Sequence, residues 1–196
     1  IVDCPSAIRR AVRDLHHTEG LFIGIGVADP CPSSKCWMYF PESHAPFYRV
    51  TYLSNYSPGV TPGPGHFSLL AEVSSSPYKR EDPDDVIERT IQGMVACTLL
   101  TPEQAEHKIV SRQLLRVPYS YPVPTLGRDA ALAVIQPWLM EHDIYSRGRF
   151  GAWRYEIGNT DHSVMQGVEL ADYLVSGKPE TTWALLPGEE AKASIA

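Results

Sequence analysis

Gly148-Arg149-Phe150-Gly151-Ala152-Trp153-Arg154-Tyr155-Glu156-Ile157-Gly158-Asn159-Thr160-Asp161-His162-Ser163 joins two kinds of structure. Ahead of it, Ile144-Tyr145-Ser146 reads as the end of a strand. Behind it, Val164, Val168, Ala171 and Val175 recur at helical spacing. A Gly-rich approach to a helix N-terminus presents backbone amides to an anion or to the electron-rich edge of a ring. Asn159, Thr160, Asp161 and Ser163 are suited to cap that helix or to serve as ligand groups. A plain strand–loop–helix connection with a polar cap accounts for the same residues, so the stretch defines a local fold before it defines a chemistry.

Working outward, the chain has 196 residues, 43% of them hydrophobic, enough for one large domain or one and a fraction. A net charge of −6 and a pI near 5.6 argue against a nucleic-acid surface. No apolar run approaches the roughly 20 residues a membrane helix needs, and the first residues carry charges unlike a signal peptide. Cys4, Cys31, Cys36 and Cys97 form no C-x-x-C pair and no zinc pattern, so no metal site is expected. Scattered cysteines suit a reducing compartment, and a cytoplasmic location is the expectation. The chain opens on Ile, as a processed product, a fragment or a trimmed chain would.

In chain order, Ala7–His16 reads as an amphipathic helix and Leu21–Val27 as a buried strand. Gly24-Ile25-Gly26 lacks the third glycine of a dinucleotide fingerprint and precedes Asp29-Pro30, so close backbone approach is the better account. Cys36–Phe40, Phe47–Leu53 and Ser68–Ser74 read as strands of an antiparallel meander, separated by a Pro/Gly-rich loop over Asn55–Phe67. Strict alternation puts Tyr48, Val50 and Tyr52 on one face and Phe47, Arg49, Thr51 and Leu53 on the other. Arg49 then shares a face with apolar residues and needs a partner or a ligand. Pro83–Leu100 is expected as a helix capped by Asp82, with a second cap at Thr101-Pro102-Glu103. Ile109–Val117 reads as a strand leading into a stiff segment, Tyr119–Pro124. Leu126–Met140 reads as a helix that Pro137 distorts or ends, and the last helix closes at Gly177 and Pro179. The residues after Thr182 read as a loose tail. The expected class is α+β, a mostly antiparallel sheet with flanking helices. The expected division is 1–143 for the sheet region, 144–182 for the strand–turn–helix, and 183–196 for the tail.

Three runs, KCWMYFPESHAPFYRVTYLSNYSP, YSYPVPTL and SRGRFGAWRYEIGNTDHSVMQGVELAD, closely resemble the C-terminal part of eukaryotic, fungal-type UDP-galactopyranose mutases. The similarity runs from about Phe22 to about Val175. Amine-oxidase-like and protoporphyrinogen-oxidase-like flavoproteins share the last run, while the YFPE…FYR…SNYSP run favours the mutases. The resemblance implies reduced FAD as the nucleophile at the anomeric carbon of UDP-galactose, and interconversion with UDP-galactofuranose without net redox.

By resemblance, Arg49, Tyr121 and Tyr155 contact the substrate diphosphate and Tyr39 lies near the substrate. Arg149, Gly158, Asn159 and Ser163 contact the cofactor. A guanidinium fork suits a diphosphate, and a helix N-terminus suits a reduced flavin. The family's GxGxxG segment, mobile substrate loops, second diphosphate arginine and histidine loop have no counterpart here. The sheet region is therefore expected to carry the substrate face, and the final helix to belong to an FAD-binding domain, an incomplete flavoprotein fold without a complete set of catalytic residues. Stable FAD binding by this chain alone is not expected. The implied partners are UDP-galactose or UDP-galactofuranose and the N-terminal FAD-binding half, in cis or in trans. Self-association is allowed, and neither nucleic acid nor a membrane is expected. The competing readings are a portion of an FAD-dependent amine-oxidase-like oxidoreductase and a truncated, non-catalytic binding module.

Overall fold

The computed structural model describes residues 3–183. In order, its elements are α1 (Ser6–Arg13), β1 (His17–Val27), β2 (Trp37–Tyr39), β3 (Arg49–Tyr52), β4 (Phe67–Ser75), α2 (Val86–Ala96), α3 (Pro102–His107), β5 (Ile109–Pro122), α4 (Arg128–Met140), α5 (Gly148–Ala152) and α6 (Thr160–Ser176). Short 3-10 turns stand at Leu53–Asn55, Pro58–Val60 and Tyr155–Ile157. The class is α+β, with a five-stranded antiparallel sheet and helices. Two compact units result: Thr18–Ser120, and the chain ends, Ile1–His17 with Tyr121–Ala196.

In the first unit the strand order is β2-β3-β4-β1-β5. The run β2-β3-β4 is the expected meander, but β1 inserts beside β4, with Leu21 opposite Val73 and Val27 opposite Phe67. Leu21, Ile23, Ile25 and Val27 alternate inward and join Val50, Tyr52, Phe67, Leu69, Val73 and Met94 in one core. The opposite face of β1 carries Gly20, Gly24 and Gly26 around Phe22. A Cβ on Gly26 would sit 2.3 Å from the Ser111 hydroxyl, and one on Gly20 2.6 Å from that of Ser120. Close approach to β5 accounts for glycine at 20 and 26, whereas a Cβ on Gly24 would meet Gln113 Cβ at an ordinary 3.6 Å. Helix α3 starts on a full capping box: the Thr101 hydroxyl accepts from Gln104 N at 3.1 Å, and Thr101 N donates to the Gln104 side chain at 2.9 Å.

In the second unit α1 packs on α4 through Ile8, Ala11, Ala131 and Ile135. Both helices turn these residues inward at three- and four-residue spacings. Helix α6 closes on Gly177 in the left-handed region (φ 72°), as expected of a C-terminal glycine.

Several expectations are corrected. Residues Ile144–Ser146 are irregular, so no strand precedes the organising stretch, which folds instead as α5 and a 3-10 turn. Helix α2 begins at Val86 behind Asp85; the Asp82 side chain accepts from Asp84 N at 2.9 Å, a turn that spends the cap early. β5 continues through Tyr119–Pro122 rather than stopping at Val117, because extended backbone is the conformation proline favours. Helix α4 reaches Met140 as expected, so Pro137, which lies inside it, does not end it. Phe47 packs in the core with Val50 and Tyr52, not beside Arg49. A bend at Tyr48 breaks the alternation just before β3 starts, and so puts Tyr48 in Arg49's surroundings. The expected tail lies, from residue 184 on, outside the described residues.

Candidate functional site

The sheet register builds the first cluster. Tyr39 on β2, Arg49 on β3 and Glu72 on β4 stand side by side in one row across three strands. Arg49 Nε donates to Glu72 Oε1 and Arg49 Nη2 to Glu72 Oε2, both at 2.5 Å, a bidentate fork. The Tyr48 hydroxyl donates to the same carboxylate at 2.9 Å. The Arg49 guanidinium lies 4.8 Å from the Trp37 ring centre and 6.0 Å from that of Tyr39. Those two rings are stacked, 6.3 Å apart and 19° from parallel. Both charges are largely buried, 14% and 5% exposed, so each stabilises the other. The charge that sequence alternation left in need of a partner thus has one in Glu72. The fork also neutralises Arg49, so an anion would be gripped by an oriented guanidinium rather than drawn by net charge.

The second cluster lies in the other unit. Arg149 stands 4.9 Å from the Tyr121 ring centre and 5.3 Å from that of Tyr155, and those rings meet edge-on at 5.6 Å. Arg149 Nε donates to the Gly158 carbonyl at 2.8 Å, and its Nη2 reaches Asn159 Oδ1 at 3.4 Å. Asn159 therefore spends its side chain on Arg149 and places no cap bond on α6. Glycine is required at 158: a Cβ there would meet the Arg154 carbonyl at 2.8 Å and Arg149 Cγ at 3.0 Å. Ser163 N donates to the Asn159 carbonyl at 2.9 Å, and the Ser163 hydroxyl lies 3.8 Å from where a Gly148 Cβ would stand. Tyr121, Arg149, Tyr155, Gly158, Asn159 and Ser163 are thus brought together in one place. Tyr39 and Arg49 are brought together in the other unit.

The supporting residues carried weaker signals. Glu72 is the one acid in β4, but its place opposite Arg49 is set by strand register, which alternation does not fix. Trp37 follows from the two-residue period of β2. Gln136, Gln166 and the Arg128–Glu156 pair hold the second cluster's loop, and no spacing rule announces them. Arg128 Nη1 and Nη2 bond the two Glu156 oxygens at 2.8 and 2.7 Å. Burial pushes the Glu156 carboxyl up, but bonds from Arg128 and the Glu156 amide hold it below the usual carboxylate range. Among the described residues, no group of three or more His, Cys, Asp or Glu side chains could hold a metal ion, and all four cysteines are free. No described helix is long and apolar enough to cross a membrane.

No protein-family model matches the chain. Among solved structures, a reduced UDP-galactopyranose mutase is 43% identical, with a TM-score of 0.85 over 93% of this chain. The chain spans 38% of that mutase's length. A protein from Exiguobacterium sp. 255-15 that bears the name protoporphyrinogen oxidase matches 67% of this chain and 29% of its own, at 12% identity and a TM-score of 0.53, a likeness of fold alone. In sequence and in fold, the chain is a relative of a UDP-galactopyranose mutase, corresponding to part of that protein.

Proposed function

We propose that this chain is the C-terminal portion of a fungal-type, flavin-dependent UDP-galactopyranose mutase, one that interconverts UDP-galactopyranose and UDP-galactofuranose when joined to an FAD-binding segment. The observation that carries the reading is the likeness at 43% identity over 93% of the chain. The two arginine clusters support it: the residues assigned by resemblance to the diphosphate and to the flavin are the ones oriented by carboxylate, carbonyl and ring contacts. An oxidase of amines has no use for a diphosphate clamp. The oxidase reading draws only on a fold-level neighbour.

The residues present fit one edge of a flavin: α6 begins without a side-chain cap on its first amides. When bound in reduced form, FAD supplies nucleophilic attack at the anomeric carbon without net redox. The chain's own contribution is orientation. Gly158, Asn159 and Ser163 would border the cofactor, and Arg149 would stand beside it, held by the Gly158 carbonyl. Arg49, its guanidinium held in place by Glu72, would contact the substrate diphosphate, Tyr121 and Tyr155 would donate phenol hydrogens to the phosphates, and Tyr39 would flank the substrate.

The test joins the chain to a mutase-type FAD-binding segment and assays UDP-galactofuranose under reducing conditions. Conversion to UDP-galactopyranose is expected. A folded, yellow hybrid that oxidises amines and leaves the UDP-sugar untouched would establish the oxidase reading instead.

A further inference from the structure

We infer that Gln166, on α6, is the positioning residue of the Arg149 cluster. Its side chain is fully buried, at 0% exposure, on a helix whose apolar residues largely face outward. Its Oε1 accepts from Gly148 N at 2.8 Å, and its Nε2 donates to the Ile157 carbonyl at 3.0 Å. A backbone N–H only donates and a carbonyl only accepts, so the two partners fix which end of the amide is which.

Those two bonds tie both ends of the loop that carries Arg149 and Tyr155. Gly148 takes the left-handed region (φ 80°), and its N–H meets the Gln166 side chain. Ile157 precedes Gly158, whose carbonyl receives Arg149 Nε. The result is a closed circuit: Gly148 to Gln166, Gln166 to Ile157, Gly158 to Arg149, and Arg149 back to Gly148. Gln136, on α4, fastens the middle of the loop, donating to the Gly151 carbonyl at 2.9 Å. A loop of five helical residues and one 3-10 turn has few backbone bonds of its own, so buried glutamines stand in for them. Removing Gln166 leaves a part-buried donor and a part-buried acceptor without that partner at opposite ends of the loop, and the Arg149 guanidinium loses its aim at the two tyrosine rings. The proposed function enters only in what Arg149 would serve; the positioning itself stands on geometry.

The experiment follows solvent exchange of the Arg149 Nε–H by NMR in the full chain, assigned by its loss in Arg149→Lys. In Gln166→Leu, this exchange should speed up by at least about tenfold, while the amides of Leu132 and Ile135 in α4 keep theirs. Gln166→Glu supplies the second readout. A protonated carboxyl can donate to the Ile157 carbonyl as the amide does; a carboxylate cannot. The ratio of variant to unaltered exchange should therefore approach one at acidic pH and rise toward neutrality. Arg147, Arg149, Arg154, Tyr155, Glu156, Asp161, His162 and Glu169 along this segment, with Arg128 of α4 bonded to Glu156, are the charged or titratable neighbours, and the unaltered chain, measured at each pH, serves as their control. Unchanged Arg149 exchange in a folded Gln166→Leu chain overturns the inference. So does equal acceleration at Arg149 and α4, which would mark general loosening. Should Gln166→Leu fail to fold, a flat ratio in Gln166→Glu overturns it. No readout involves sugar or flavin, so failure of the mutase reading would leave this result intact.

Discussion

At the residue scale, Arg49 illustrates how a site is made from a pair. Its fork is aligned by Glu72, and removal of either partner strands a largely buried charge. Glu72→Ala should lower the stability of the sheet unit by about 2–3 kcal/mol, read as a lower urea midpoint. The double change Arg49→Met with Glu72→Met should recover most of that loss, since two apolar groups leave nothing unpaired. A double variant as weak as the single one would show that the fork is not what stabilises the row. In the enzyme completed with an FAD-binding segment, Arg49→Ala should weaken UDP binding by about one to two decades and leave the flavin spectrum unchanged. UDP titration beside the visible spectrum checks this, and loss of flavin would contradict the assignment.

At the element scale, α6 offers paired tests. Gly167 lies in mid-helix with open space around its missing Cβ, so Gly167→Ala should stabilise the chain by up to about 1 kcal/mol. Gly177 holds a left-handed C-terminal position, so Gly177→Ala should cost about 1 kcal/mol or slightly more. Opposite shifts in Tm are the expected pattern. The loop before α6 adds a pH dependence. Glu156 is held below the usual carboxylate range, burial opposing and the Arg128 bonds prevailing. Glu169 is also lowered; burial opposes, and bonds from Thr181 and Thr182 prevail. A depressed folded value stabilises above the unfolded pKa of about 4.3 and is lost as pH falls through the folded value. Tm should therefore fall as pH drops below about 4.3, and Glu156→Gln should lose less than the unaltered chain over that window. An identical fall in the variant would remove Glu156 from the account.

At the scale of the whole molecule, α6 turns an apolar face outward. Val164, Val168 and Val175 are 61%, 51% and 89% exposed, while the buried residue is a glutamine. Such a face asks for cover, and the related mutase is a chain of which this one spans 38%. The isolated chain is expected to associate, and Val164→Glu with Val168→Glu to shift it toward monomer in size-exclusion chromatography. It is also expected to purify colourless after incubation with excess FAD and desalting. A stoichiometric band near 450 nm, roughly where oxidised flavin absorbs, would mean that this chain forms a cofactor site alone.

What the sequence determined by itself is local and periodic. Apolar, β-branched and aromatic runs bounded by turn residues identified the strands around Ile23, Val50 and Leu69, the Thr101 cap identified α3, and Gly177 identified the end of α6, because each follows from dihedral preference or composition within a few residues. The resemblance located the arginines and tyrosines, since their motifs are contiguous. Tertiary structure alone decided that β1 lies between β4 and β5, that Glu72 stands opposite Arg49 across 23 positions of chain, and that Gln166 reaches both Gly148 and Ile157. Those relations depend on strand register and on a buried side chain finding backbone groups far along the chain, and neither carries a period that a sequence can display.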